Sequence, residues 1–364
     1  MLKYTNTRSG KPAATIDKPP MTTNKSSNKP GIPVSKISTD IDFEQDGKQV
    51  SYLKVPHSTN QSGWGTLLMP IVVIKNGSGP TVLFTGGNHG DEYEGPLALT
   101  KLARELQPDD IRGRVIILPG LNYPALMAGT RLSPIDGRNM NRVFPGERGG
   151  TITSMIAHYV YHVLLPLSDV VVDIHSGGGS MIFQSCSVMH HLEDTEQMAV
   201  TLAALKDFGA PIGLILVELD SGGMLDSAVE EMGKTFISTE LGGGAFVTPE
   251  TVRIADRGVR NILKHFDVLH GEVELPPEGV RLMEVPDEGG YTMAMADGLY
   301  EPLVEVGEEI VRDQVLGRIH FPDDIMREPL SIKAKLNGVL ITRAGRGAVK
   351  RGDTIVVLAT DYIA

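Results

Sequence analysis

Between residues 81 and 264 short apolar runs alternate with segments of helical period, and this alternation restricts the fold more than any other feature of the chain. The runs Thr81–Thr85, Val115–Leu118, Val170–Ile174, Ile212–Val217 and Thr235–Thr239 predict strands. Helices are predicted between and after them, over Gly95–Leu106 and over about residues 152–165, 194–207, 225–232 and 249–264. Parallel strands need a crossover of a dozen or more residues, and helices in that role cover both faces of the sheet. The expectation is an α/β fold around a mainly parallel sheet. Two earlier β-prone runs, Val50–Val55 and Leu67–Ile74, read as opening strands, and the second ends at the turn Asn76-Gly77-Ser78-Gly79. Beyond residue 272 the helical period disappears, and short strands broken by Gly and Pro predict a second, all-β unit.

The 364 residues suit one large domain and a smaller appendage. The first 33 are rich in Pro, Ser, Thr, Asn and Lys, with too little apolar surface to offset the entropy of ordering. The chain is therefore divided into a flexible arm over 1–35, an α/β domain over 36–270 and a β-rich domain over 271–364. The arm is basic: residues 1–36 hold seven Lys or Arg against the lone Asp17, within a chain of net charge -11. A tail that docks on an acidic partner subunit is the sharper reading of it. The overall acidity argues against nucleic acid as a partner, because that affinity is built from Lys and Arg. No stretch approaches the roughly 18 apolar residues that cross a bilayer, and Lys3, Arg8 and Lys11 precede no apolar core of a signal peptide. A cytoplasmic protein is expected. The single Cys186 excludes both a disulfide within the chain and a thiolate metal cluster, so any metal must be held by His and carboxylate.

In open α/β sheets ligands gather beyond the carboxyl ends of the strands. Three of those ends are unusual. Thr81–Thr85 is followed by Gly86-Gly87-Asn88-His89-Gly90-Asp91-Glu92, in which an imidazole and a carboxylate three residues apart could ligate one ion. Val170–Ile174 delivers His175-Ser176-Gly177-Gly178-Gly179, with Asp173 placed to orient the ring. Thr235–Thr239 delivers Glu240-Leu241-Gly242-Gly243-Gly244. Taken singly, these are a glycine-rich turn, a core histidine satisfied by backbone and a capping glutamate. Together they supply two His and a carboxylate, a common catalytic zinc shell, and a further carboxylate that such a site uses as general base.

Gly87-Asn88-His89-Gly90-Asp91-Glu92, Asn139-Met140-Asn141-Arg142-x-Phe144, Asp173-Ile174-His175-Ser176-Gly177-Gly178 and Thr239-Glu240-Leu241-Gly242 together resemble the succinylglutamate desuccinylase/aspartoacylase family of zinc-carboxypeptidase-fold deacylases. The match runs in order over about residues 40–340. The resemblance implies a zinc-carboxypeptidase-like mixed, mainly parallel sheet flanked by helices. It implies one Zn2+ held by His89, Glu92 and His175, with Glu240 promoting attack of the zinc-activated water on an amide carbonyl. Asn141 and Arg142 match the pair that clamps a substrate carboxylate, a task that suits a guanidinium fork. Arg131 resembles the arginine that stabilises the developing oxyanion. The family's Arg-x(7)-Arg spacing is lengthened here by three residues and Asn139 stands where Asp is usual, so Arg138 competes for the oxyanion role. Arg138 and Asn139 join the substrate-binding candidates.

Other groups fit less well. His158 and His162 lie four apart on a predicted helix, but Tyr159-Val160-Tyr161 lacks the Glu of a His-Glu-x-x-His site, and a surface pair is expected. His190 and His191 read as loop residues. Cys186 has no basic neighbours to activate its thiol. Residues 298–320 and 332–358 read as related halves that resemble the half-barrels of biotinyl and lipoyl carrier domains. The hairpin that would carry a modified lysine, Phe321–Leu330, contains none, so this unit is expected to serve as a lid, wall or oligomer contact, with a homodimer as the assembly.

A carboxylate clamp with deacylase chemistry implies an N-acyl amino acid substrate. The Ser133-Pro134-x-Asp136-Gly137-x-Asn139 insertion and the β-rich tail resemble the branch that deacetylates N-alpha-acetyl-2,4-diaminobutyrate in ectoine breakdown. The cationic side chain of that substrate wants an acidic pocket, for which Asp220 and Asp226 are nominated. A succinylglutamate or N-acetylaspartate deacylase and a metallocarboxypeptidase are the enzymatic alternatives. A metal-binding scaffold without catalysis is the alternative from another class.

Overall fold

A computed structural model describes residues 34–217, 222–286 and 289–363. The arm expected over residues 1–35 lies outside them but for its last two residues, and so does Asp220. The first unit contains β1 (Gly47–Pro56), β2 (Thr66–Asn76), β3 (Thr81–Gly86), α1 (Glu94–Glu105), β4 (Gly113–Leu118), α2 (Tyr123–Ala128), α3 (Ile152–Tyr159), α4 (Leu165–Leu167), β5 (Val170–Ile174), β6 (Met181–Phe183), β7 (Cys186–His190), α5 (Thr195–Phe208), β8 (Ile212–Leu216), α6 (Leu225–Glu230), β9 (Thr235–Glu240) and α7 (Pro249–His265). Every strand and helix expected between 81 and 264 forms, with ends shifted by about two residues at most. The helix expected over 152–165 is α3 continued by a π turn, Val160–Leu164, and then α4. The widened turn precedes Pro166, which has no N–H to continue the regular ladder.

The strands form one mixed sheet in the order β1-β2-β4-β3-β5-β9-β7-β8. The centre, β4-β3-β5-β9, is parallel, and β7 lies antiparallel to β9. Alternation along each strand divides the core in two. Phe84, Val172 and Ile237 face one layer with Leu99 of α1, Leu205 of α5 and Ile262 of α7. Leu83, Val171 and Phe236 face the other with Ile156 of α3 and Val229 of α6. Burial of each such side chain contributes about 1.5–3 kcal/mol. The helix ends are fixed locally: Asp194 accepts from the Glu196 and Gln197 amides ahead of α5, and Thr248 caps α7 through the Thr251 amide.

The second unit contains β10 (Arg281–Glu284), β11 (Tyr291–Met293), β12 (Gly298–Pro302), β13 (Glu309–Ile310), β14 (Val315–His320), β15 (Leu330–Lys333), β16 (Gly338–Ala344), β17 (Ala348–Val349) and β18 (Thr354–Asp361). Its halves interleave: β12 of the first pairs β17 of the second, and β13 pairs β16. The Phe321–Leu330 hairpin joins β14 to β15 with Ile325 and Met326 exposed. The sheet crosses residue 270 without a break. β10 runs parallel to β8 on one side and antiparallel to β18 on the other, and β6 pairs β16.

Candidate active site

The three unusual strand ends meet at the C-terminal edge of β3, β5 and β9. The loop after β3 turns sharply because Gly90 packs on α2, where a Cβ would lie 2.0 Å from the Ala125 carbonyl oxygen. The loop after β9 depends likewise on Gly243, at φ +146, where a Cβ would lie 2.0 Å from the Met181 carbonyl. These approaches aim His89, Glu92 and Glu240 at the end of β5, where His175 emerges.

Glu92 spans the two imidazoles, its Oε1 2.7 Å from His89 Nδ1 and its Oε2 2.9 Å from His175 Nδ1. All three side chains are buried, and one ligand atom from each falls within 4.8 Å of the others. Among the described residues this is the one group of three or more His, Cys, Asp or Glu able to hold a metal ion. The far edge of each ring rests on an acceptor. His89 Nε2 is 3.1 Å from Asn139 Oδ1, and His175 Nε2 is 2.7 Å from Asp173 Oδ2. Asp173 is itself held by Thr85 Oγ1 at 2.7 Å and Asn88 Nδ2 at 2.8 Å. Both outer nitrogens are placed to donate, so that in the neutral rings the Nδ1 lone pairs are the ones turned inward, the donor set a divalent cation would take up in place of the protons now shared with Glu92.

Charge follows the same geometry. Burial alone would raise the Glu92 carboxyl, but His89 and His175 outweigh it and hold Glu92 well below the usual carboxylate range. Burial opposes the charged form of His175, whereas Asp173 and Glu92 push it well above the usual imidazole value. Glu240 goes the other way: burial first, then the charge of Glu92, pushes its carboxyl up to about 8. Its Oε2 is buried and meets no hydrogen-bond partner.

A cavity of about 290 Å3 connects these groups. His89, His175, Glu240, Arg131, Asn141 and Arg142 line it. Arg131 reaches Glu92 Oε1 at 3.4 Å, and Arg142 Nη1 donates to the Asn141 carbonyl at 2.6 Å. Asn141 Oδ1 is held by the Leu225 amide at 2.9 Å. Arg138 is exposed and outside the lining, and Asn139 turns its amide oxygen to His89 instead of into the cavity. His158 and His162 lie away from the cavity with ring centres 4.3 Å apart and planes tilted by 44°; His162 is exposed but His158 is buried, which corrects the expected surface pair. Cys186 is buried, and its thiol is pushed well above the usual value by burial and by Glu240.

The catalytic-domain signature of succinylglutamate desuccinylase/aspartoacylase matches residues 78–266. Over 325 residues the chain is 44% identical to the N-alpha-acetyl-L-2,4-diaminobutyric acid deacetylase of Halomonas elongata, covering 89% of this chain and 95% of that protein.

The chain belongs to the succinylglutamate desuccinylase/aspartoacylase family.

Solved structures of the family superpose on it closely. The product-bound ectoine utilization protein EutE (DoeB) from Ruegeria pomeroyi is 43% identical with a TM-score of 0.87, over 90% of this chain and 99% of that one. A succinylglutamate desuccinylase/aspartoacylase from Rhodobacter sphaeroides is 46% identical with a TM-score of 0.88, over 91% and 100%. As a member of this family the chain is a hydrolytic enzyme acting on N-acyl amino acids.

Sequence reasoning missed part of the cavity. His190 is the last residue of β7 and lines it, as do Glu230 of α6, Phe183 of β6 and Tyr291 of β11. The loop assignment of His190 is thus corrected, because pairing of β7 with β8, His190 opposite Leu216, fixes it in the sheet. The adjacent His190-His191 pair was the only signal available in the sequence. Asp226, nominated for an acidic pocket, does line the cavity.

Proposed function

We propose that the chain is a zinc-dependent deacetylase that hydrolyses N-alpha-acetyl-L-2,4-diaminobutyrate to acetate and L-2,4-diaminobutyrate. The observation that carries the reading is the partnerless Oε2 of Glu240 in a cavity shared with the His89–Glu92–His175 group. A purely structural metal site needs no such spare carboxylate. The near full-length identity to the Halomonas elongata deacetylase supports the choice of substrate.

In this reading His89, Glu92 and His175 hold one Zn2+, whose two imidazoles and one carboxylate suit a catalytic ion. Zinc there supplies polarisation of the scissile carbonyl and acidification of the attacking water. Glu240 Oε2 accepts the proton of that water and delivers it to the leaving α-amine, so one carboxyl acts first as base and then as acid. The Arg131 guanidinium, 3.4 Å from Glu92, is the group assigned to stabilise the negative charge that develops on the carbonyl oxygen. Arg142, braced on the Asn141 carbonyl, and Asn141 itself bind the α-carboxylate and fix the amide in the cavity. Residues 36–270 carry all these groups, and residues 271–364 wall the cavity through Tyr291.

An amine-release assay of the purified protein tests the reading, with N-alpha-acetyl-diaminobutyrate, N-acetylaspartate, N-succinylglutamate and a dipeptide as substrates. Preferential release from the first is expected, and preferential release from any of the others overturns the substrate choice. A cytoplasmic homodimer belongs to the same reading, checked by cell fractionation and by sedimentation of the purified chain.

A further inference from the structure

The part of the cavity lining that comes from β7 and α6 is built unlike the part that carries the two imidazoles and Glu240. His190 closes β7, while Asp226 and Glu230 stand one turn apart on α6, so both carboxylates share a helix face toward the ring. His190 Nδ1 is 2.8 Å from Glu230 Oε2, and His190 Nε2 is 3.8 Å from Asp226 Oδ2. One imidazole is thus bracketed by two acids. The three side chains retain only 13%, 13% and 11% of their exposure for His190, Asp226 and Glu230, and all three line the cavity that holds His89 and Glu240.

Two observations give this part a preference for charge. With both carboxylates ionised, the cluster carries one net negative charge if His190 is protonated and two if it is neutral, so neither state of the ring makes it a site for an anion. In addition, Glu230 commits Oε2 to His190 while its Oε1 is buried without a hydrogen-bond partner. An acceptor left in that condition is costly, and a donor brought in by a ligand relieves it. Phe183, Leu214, Leu216 and Tyr291 add apolar surface to the same lining, which suits a short methylene chain. Arg131, 3.4 Å from Glu92, and Arg142 line the same cavity, so groups of both charges share one small space.

We propose that His190, Asp226 and Glu230 form a receptor for an ammonium group on the substrate side chain, and that this receptor makes the enzyme selective for N-acyl diamino acids over N-acyl amino acids with neutral or acidic side chains. The assignment rests on the deacetylase reading above and deepens it. The α-carboxylate lies on the arginines, the amide lies between His89 and Glu240, and the side-chain ammonium donates to Glu230 Oε1. A carboxylate in the ammonium position would meet Glu230 and Asp226 as like charges.

The test compares N-alpha-acetyl-diaminobutyrate with N-acetyl-norvaline, which replaces the ammonium by a methyl group, in the wild-type zinc enzyme, Glu230→Gln and Asp226→Asn. The quantity read is the ratio of kcat/KM for the charged substrate to that for the neutral one. Wild type is expected to favour the charged substrate by about a hundredfold, and Glu230→Gln to cut the ratio by about tenfold or more, the scale of one lost charge-assisted hydrogen bond. A wild-type ratio near one, or a ratio unchanged in both variants, overturns the proposal. Calorimetric binding of free diaminobutyrate and free norvaline gives a readout independent of turnover. If wild type hydrolyses neither substrate, the deacetylase reading fails, while selective binding of the diamine that is lost in Glu230→Gln still supports the receptor. Elemental analysis adds a further arm: two zinc ions per chain falling to one in Glu230→Gln would show a metal site in place of the receptor. Should Glu230→Gln fail to fold by circular dichroism, Asp226→Asn carries the same comparison.

Discussion

Asn139 Oδ1 lies 3.1 Å from His89 Nε2 while accepting the Asn141 backbone N–H at 2.9 Å. Because the backbone amide can only donate, the oxygen end of the Asn139 amide is identified, and His89 Nε2 must carry the proton. In the neutral ring Nδ1 is then the nitrogen left, on the Glu92 side, to ligate a cation. A neutral amide performs here the task that Asp173 performs with a charge for His175.

Asn139→Ala therefore frees the His89 ring from its fixed tautomer. Zinc affinity, measured by competition with a chromogenic chelator, is expected to fall about 10–100-fold, with Asn139→Asp restoring it. Equal affinity in the alanine variant would falsify this orienting role.

Glu240→Gln keeps the shape of the side chain and loses the proton acceptor. Zinc content by elemental analysis is expected to stay at the wild-type level while kcat drops about 10²–10⁴-fold. A variant that hydrolyses substrate at the wild-type rate would remove Glu240 from the chemistry.

The raised Glu240 carboxyl also predicts a pH effect in protein stripped of metal by a chelator. In the folded chain this group titrates at about 8, against 4.5 for an unperturbed glutamate. The folded state therefore holds a proton that the unfolded state has released. The stabilisation linked to that proton is full below pH 4.5 and is lost as pH rises through about 8. Relative to Glu240→Gln, the wild-type protein should melt at progressively lower temperature from about pH 5 to 8, with the difference level above that range. Thermal unfolding followed by circular dichroism checks it, and a difference that shrinks with rising pH reverses the sign.

Cys186 is buried at the centre of the sheet, and its thiol is held protonated by burial and by the neighbouring Glu240. Native protein should resist iodoacetamide at neutral pH and react once unfolded in guanidinium, read as mass gain per chain. Stoichiometric labelling of the native protein counts against this environment.

What was legible in the sequence follows from where physics acts locally. The strands β3, β5 and β9 are largely buried on both faces and read as continuous apolar runs, and the residues at or just beyond their ends, His89, Glu92, His175 and Glu240, are the ones the structure gathers. The strand β7, Cys186-Ser187-Val188-Met189-His190, mixes polar and apolar residues without a clear period, and α2 spans only six residues, so neither announced itself. The continuity of the sheet past residue 270 was equally hidden, because β10 is the four-residue, half-charged run Arg281-Leu282-Met283-Glu284. The part of the cavity lined by His190, Glu230 and Tyr291 was illegible for a different reason. His190, Glu230 and Tyr291 come from three separate elements, and only tertiary pairing makes them neighbours.

That pairing also sets an order of assembly. Tyr291 reaches the cavity because β11 lies against β18, opposite Val357, and β18 in turn clasps β10 to β8. A nascent chain that has emerged only as far as α7 already contains every proposed zinc ligand and the proposed base, but the strand that holds the far wall in place has yet to be made. The wall of the cavity at Tyr291 is thus held by a strand that follows every proposed zinc ligand and the proposed base along the chain.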